Sequence, residues 1–457
     1  MDAEYARVTV DERDRLSKRE FITFLIDGWE DSARRSLYGC VAAGVGEYPQ
    51  VLGLEDLTGH RGSADKLVQV ATKVLEPPGV NLVRNVVAAT TDDPTVMQSF
   101  RRKLQGKYYW ILVFWCFLHK LNTILGHIVA YPEMKAIITA TTRIVSFFNS
   151  SHFWGGQLSA AAKEEGINRK LQTNTESRWY SLILMALTVL SQRKPLTAIC
   201  MREDAQRKVG GFSPVSPAVI TTVLYTREYW VQLNQLVKTC KPIVDAIGNL
   251  ELRKATLADC MLELLRCARE MYRIPLEEED SVGFWTHAKR VFNTEFHKID
   301  TDVHDLALFL HPLCRKLALS NAAKSRTFES ICKTALKIAN QLRMKEEDAS
   351  ALIEDLKQYR QCKGPFVGAG GDAKEWWEDI DGEKHPLQRI AILLHSVVPH
   401  AAEVERLFSN LGGIQGRRRS NLTVENFKKL GVLRNHYSYL LWERDRKAGI
   451  IWKNLSL

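Results

Sequence analysis

The chain has 457 residues, 45% hydrophobic and 25% charged, with a formal net charge of +10 at pH 7. At about 100–200 residues per domain, two or three structural units are expected, of ordinary globular composition. No apolar run reaches the ~18–20 residues of a membrane span, so no membrane partner is expected; the charge permits a polyanion partner without proving one.

The opening MDAEYARVTVDERDRLSKRE is charged and lacks a signal-peptide core, so residues 1–20 read as an N-terminal tail of an intracellular protein. ITFLIDGW (22–29) is a strand buried on both faces that stops abruptly at Asp27-Gly28-Trp29. SLYGCVAAGV (36–45) and YPQVLGLEDL (48–57) follow as further strands, separated by Gly, Glu and Pro. Ser63-Ala64-Asp65 caps a helical run, KLVQVATKVL. NLVRNVVAATTDDP (81–94) is a β-branched strand that ends in acidic residues. A helix over 95–105, an aromatic strand over 108–117 and the amphipathic HKLNTILGHIV complete this first section. The order predicts a mixed sheet covered by helices.

From about residue 140 helical patterns dominate, as in RWYSLILMALTVLSQR and LADCMLELLRCARE. Cys260 and Cys267, seven apart on one helical face, read as core. The nine cysteines include no CxxC pair, so reduced thiols are expected rather than a disulfide framework. A glycine-rich break, GPFVGAGGD (364–372), precedes a last section of about 85 residues.

Asp27 closes one strand, and Asp92 and Asp93 close another. Carboxylates at the ends of adjacent strands repel one another unless a cation neutralises them. Hard oxygen donors suit Mg²⁺ or Mn²⁺, and two such ions about 3.5–4 Å apart serve phosphodiester chemistry. A third carboxylate would lie in HAAEVERLFSNLGG (400–413).

IDGW (26–29), the TTDD segment (90–93), CFLH (116–119), ESRW (176–179) and EVERLFSNLGGI…RRRSNL (403–422) stand in one order along the chain. In this the chain resembles the hAT family of cut-and-paste DNA transposases, over about residues 20–440. ERLFS followed by Arg-Ser-Asn-Leu is the specific hallmark of the family's C-terminal dimerisation region. The resemblance implies an α/β plus all-α chain, an RNase H-like mixed sheet with flanking helices interrupted by a large helical insertion domain. On this reading residues 21–140 are the first part of the catalytic core, 141–372 the insertion, and 373–457 the dimerisation region that completes the core. The 313 residues between Asp92 and Glu405 would then be filled by the insertion.

By motif match, Asp27, Asp92 and Glu405 take the family's catalytic and metal-binding positions, with two Mg²⁺ or Mn²⁺ ions as cofactor. Asp93 competes with Asp92, because the family usually has Asp-Asn where this chain has Asp-Asp; Asp92 is the aligned position. Glu403 lies roughly 200° around a helix from Glu405, so only one of the two can face a site. Cys116 and His119 form the family's CxxH pair. A structural zinc site needs four protein ligands, so a site-supporting role is expected and no zinc. Trp179 and Arg178 are read as DNA-binding, the tryptophan corresponding to one that stacks on an extruded base; a core tryptophan at a helix start accounts for Trp179 equally well. Arg417, Arg418 and Arg419 are read as contacts to a DNA backbone, against a solvated loop as the alternative.

The resemblance further implies DNA as partner, a homodimer or higher homo-oligomer, and a nuclear location. Relatives carry an N-terminal BED-type zinc finger, for which no Cys/His pattern precedes the first strand here. Two functions follow: metal-dependent DNA cleavage and strand transfer, or a non-catalytic, transposase-derived, dimerising DNA-associated factor.

Overall fold

A computed structural model of the chain describes residues 1–60, 62–77, 81–174, 178–208, 213–319, 326–415 and 422–449. The chain divides into two compact units, Met1–His119 with Gly248–Glu263 and Asp300–Leu457, and Lys120–Ile247 with Leu264–Ile299.

The first unit is built on a five-stranded mixed sheet of order β3-β2-β1-β4-β5. Its strands are β1 (Ile22–Glu30), β2 (Ser36–Ala43), β3 (Gln50–Asp56), β4 (Val86–Thr91) and β5 (Leu112–Trp115). β1, β2 and β3 form an antiparallel meander, whereas β4 and β5 run parallel to β1. Parallel neighbours need crossovers. These are supplied by the helices α2 (Ala64–Leu75) and α3 (Thr95–Lys107).

Side chains on a strand alternate between faces, so a strand covered on both sides needs apolar residues at every position. In β1, Ile22, Phe24 and Ile26 pack with Leu67 and Val70 of α2 and with Phe100 and Leu104 of α3. Leu25 points the other way, into a cluster with Val404, Leu407, Phe408 and Leu411 of the helix Ala402–Gln415 and with Phe427 of the helix Val424–Lys447.

β1 does not stop at Asp27. It pairs with β2 without interruption from Thr23↔Ala43 to Glu30↔Ser36. Gly28 is therefore an in-strand residue rather than a turn. The Tyr38 ring lies over it, where an added Cβ would sit 3.1 Å from the ring. Trp29 stacks on Phe408 and Phe427, at centroid distances of 5.4 and 6.1 Å. The turn beyond is fastened by buried Asp31, which accepts from Ala33 N, Arg35 N and Arg35 Nε at 2.8–2.9 Å. Gln415 Nε2 also donates to Asp31, at 2.8 Å, tying the turn to the end of the glutamate-bearing helix.

Residues 1–20, read as a tail, contain α1 (Asp2–Ser17). Its Glu12 is buried, 2.7 Å from His436 Nδ1, and Asp2 meets Lys429 at 2.9 Å. The aromatic strand expected over 108–117 is shorter, because Ile111 N closes a turn on Tyr108 O at 3.1 Å. The strand expected over 81–94 likewise begins as a 3-10 turn, Leu82–Asn85, before β4.

The second unit is helical. Its core gathers Ile144 and Phe148, Met185 and Val189, Leu196 and Cys200, and Tyr229 and Leu233 from successive helices. A buried hydrogen bond of 2.9 Å joins Thr141 Oγ1 and Tyr229 OH. Residues 302–309 and 328–341 are also helical but belong to the first unit. Trp377 Nε1 donates to Leu310 O there at 2.7 Å.

Candidate carboxylate site

β1 and β4 lie side by side in parallel, with Leu25 opposite Thr90. Asp27 lies two residues beyond Leu25 on β1, and Asp92 two residues beyond Thr90, just past the end of β4. Both share the sheet face of Leu25, the face covered by the helix Ala402–Gln415.

Two threonines fix what covers them. Thr23 Oγ1 accepts from Val398 N at 2.9 Å, and Thr90 Oγ1 donates to Val398 O at 2.8 Å. Both threonines are fully buried, so these bonds satisfy groups that have no water to turn to. Phe117 N donates to Pro399 O at 3.0 Å, and Ala401 N reaches Cys116 Sγ at 3.4 Å. The chain thus enters the helix Ala402–Gln415 from above Thr23 of β1 and Thr90 of β4.

The first turn of that helix carries both glutamates. Glu403 is buried and ion-paired with Arg253, at 2.8 Å, and with Arg406. Glu405 is half-buried on another side, and its charge acts on Asp92 and on the Cys116 thiol. The aspartates divide similarly. Asp93 is ion-paired with buried Arg101, which also donates to Thr91 Oγ1 at 2.7 Å and to the Asp92 carbonyl.

Asp92 Oδ1 is buried with no hydrogen-bond partner. Burial pushes the Asp92 carboxyl above the usual carboxylate range, and Asp93 and Glu405 push the same way, against His119 and Arg101. Asp27 Oδ1 accepts from Gly28 N at 2.8 Å. After burial, the charges of Asp92 and Asp27 raise the Tyr38 phenol. Asp27, Asp92 and Glu405 therefore belong to one electrostatic neighbourhood with Tyr38, Cys116 and His119. Among the described residues, no three His, Cys, Asp or Glu side chains are close enough together to hold a metal ion. The donor chemistry nevertheless fits a hard divalent cation, and the orphaned Asp92 oxygen is a ligand atom without a partner.

Cys116 is buried, and burial pushes its thiol up to about 12, so it is an inert packing residue that receives Ala401 N. His119 is exposed in the first turn of α4 (Phe117–Val129). Arg178 and Trp179 belong to the helical unit. Trp179 begins the helix Trp179–Ser191, is 47% exposed, and lies so close on Gly126 that a Cβ there would be 2.7 Å from its Nε1. Arg178 Nη1 donates to Tyr180 OH at 3.1 Å. Arg417, Arg418 and Arg419 lie outside the described residues.

Tyr38, Arg101, Thr23 and Thr90 are part of this neighbourhood and were not singled out by the sequence. Threonine hydroxyls inside otherwise apolar, doubly covered strands are a readable signal, since each needs a partner. Arg101 and Tyr38 carry no such mark. Comparison with known protein families finds no matching family model, and comparison with curated proteins finds no match.

Proposed function

We propose that this chain is a hAT-type transposase-like protein that cleaves and transfers DNA strands with the help of divalent metal ions. The observation that carries the reading is the electrostatic proximity of Asp27 on β1, Asp92 just past the end of β4, and Glu405 in the first turn of the helix above them. The RNase H-like assignment of the sheet is part of the same proposal. It is supported by the parallel and antiparallel halves meeting at β1, and by the long helical excursion before the glutamate-bearing helix.

Asp27, Asp92 and Glu405 would hold the ions. When bound, Mg²⁺ or Mn²⁺ supplies activation of the attacking oxygen and charge stabilisation at the leaving oxygen. The protein's own part is positional. β1, the end of β4 and the threonine-clipped 398–401 segment bring Asp27, Asp92 and Glu405 into one electrostatic neighbourhood, while Arg101 and Arg253 hold Asp93 and Glu403 in ion pairs. A +10 chain suits DNA as substrate. A homo-oligomer acting in the nucleus belongs to this reading through the resemblance alone.

A second reading, a non-catalytic DNA-associated factor of the same descent, is favoured by the lack of any three-ligand cluster among the described residues. Mn²⁺-dependent cleavage of double-stranded DNA separates the two. Cleavage by the wild type that is lost in Asp27→Ala and Glu405→Ala supports catalysis. Equal cleavage by all three proteins overturns it. Salt-dependent DNA binding with no cleavage by any of them supports the second reading.

A further inference from the structure

A cavity of about 530 Å³ lies within the sheet-containing unit, away from the three carboxylates. Its walls come from the β2–β3 turn, the 249–263 segment, and residues 311, 371–374 and 395. That volume is in the range of small-molecule sites.

His395, the last residue of the helix Leu387–His395, lines it and is only 1% exposed. Apart from the Leu310 carbonyl, which acts on the ring, its nitrogens meet no hydrogen-bond partner among the described residues. The nearby Leu310 carbonyl already receives the Trp377 indole N–H at 2.7 Å. A buried ring nitrogen beyond the reach of that carbonyl is costly unless something in the cavity meets it. His311 stands edge-on to it, with ring centroids 6.1 Å apart.

Two carboxylates act on both imidazoles, Asp259 and Asp372. Each uses one oxygen to cap a helix. Asp259 Oδ2 accepts from Thr256 N and Thr256 Oγ1 at 2.9 and 2.8 Å. Asp372 Oδ1 accepts from Lys374 N and Glu375 N at 2.9 and 3.1 Å. Glu263 adds a third carboxylate to the lining, and Lys254 and Lys374 add two cations. Lys254 and Asp372 are both exposed, Asp259 is half-buried, and Lys374 Nζ lies 3.8 Å from Glu378. Burial holds His395 neutral, with its nitrogen pushed down to about 4, so the imidazoles add hydrogen-bonding capacity without positive charge. Leu250, Leu252 and Leu262 supply the apolar wall.

We propose that this cavity binds a small organic cation, an amine or guanidinium on a short aliphatic body. The cationic head faces Asp259 and Asp372, one of its N–H groups donates to His395, and the hydrocarbon lies along the leucines. This site is independent of the DNA-cleavage reading and stands or falls without it.

Isothermal titration of the full chain with agmatine, butylguanidinium and succinate tests it. Saturable binding of the two cations and none of succinate is expected. The double variant Asp259→Asn/Asp372→Asn keeps an amide oxygen for each cap, so its melting temperature without ligand stays near that of the wild type. It should nevertheless lose at least tenfold in agmatine affinity. His395→Phe, which removes the polar floor, should weaken agmatine binding as well. No saturation by either cation at millimolar concentration overturns the proposal and leaves a water-filled cavity. Unchanged affinity in the double variant, or preference for succinate, overturns it equally.

Discussion

Asp92 carries the largest unresolved electrostatic burden in the carboxylate site, because burial, Asp93 and Glu405 all oppose its ionisation. Replacing it with Asn removes the charge and keeps a side chain of the same shape. Without divalent ions, Asp92→Asn should be more stable than the wild type, because it removes the negative charge that burial, Asp93 and Glu405 oppose. Urea unfolding of the two proteins in EDTA measures this.

A second pair of acids gives a pH signature. Asp305 is buried beside Asp300, with Arg326 meeting them at 3.3 and 3.0 Å. Burial, reinforced by Asp300, pushes the Asp305 carboxyl up to about 7, from an ordinary value of 3.8. The folded protein thus holds a proton over a range where the unfolded chain has lost it. This contribution to stability is full below about pH 4 and disappears as pH rises toward 7. Asp305→Asn removes it, so the variant's stability relative to wild type should climb between pH 5 and pH 7.5. A constant difference across that range would contradict the assignment.

Among elements, the helix Ala402–Gln415 is the one whose placement matters most. Gly39 is opposite Asp27 on β2, and a Cβ there would sit 2.9 Å from the Phe408 ring. That ring is itself stacked on Trp29 and cannot retreat freely. Gly39→Ala should therefore cost about 1–3 kcal/mol by overpacking. Thr23→Val or Thr90→Val, each leaving one Val398 backbone group buried and unpaired, should cost about 1–3 kcal/mol. Chemical denaturation of each variant gives these numbers. The strands beneath were readable because unbroken apolar and β-branched runs lead into Asp27 and Asp92. The choice between Glu403 and Glu405 rests, in the sequence, on a motif match. In the structure Glu403 is taken up by Arg253, a residue 150 positions away that no local pattern connects to it. The continuation of β1 to Glu30 was hidden for a related reason. Asp27-Gly28-Trp29 looks like a turn until Tyr38, Phe408 and Phe427 are known to cover it.

At the scale of the whole molecule, each unit has its own apolar core. Calorimetry should resolve two transitions, and Met185→Ala, which empties part of the helical core, should lower one of them by about 2–5 kcal/mol while sparing the other. A single transition lowered as a whole would contradict this division. The boundaries of the units were not legible in the sequence. Residues 302–309 and 328–341 show the same amphipathic periodicity as the helical unit, and only their packing assigns them to the sheet.

On the proposed reading, Asp27, Asp92 and Glu405 act together on a divalent cation. Titrating Mn²⁺ into the metal-free protein, followed by electron paramagnetic resonance, tests it most directly. Saturable binding is predicted in the wild type and in Glu403→Gln, and a loss of at least tenfold in Asp27→Asn, Asp92→Asn and Glu405→Gln. Absence of saturable binding in the wild type, or a loss in Glu403→Gln as large as that in Glu405→Gln, would contradict the claim.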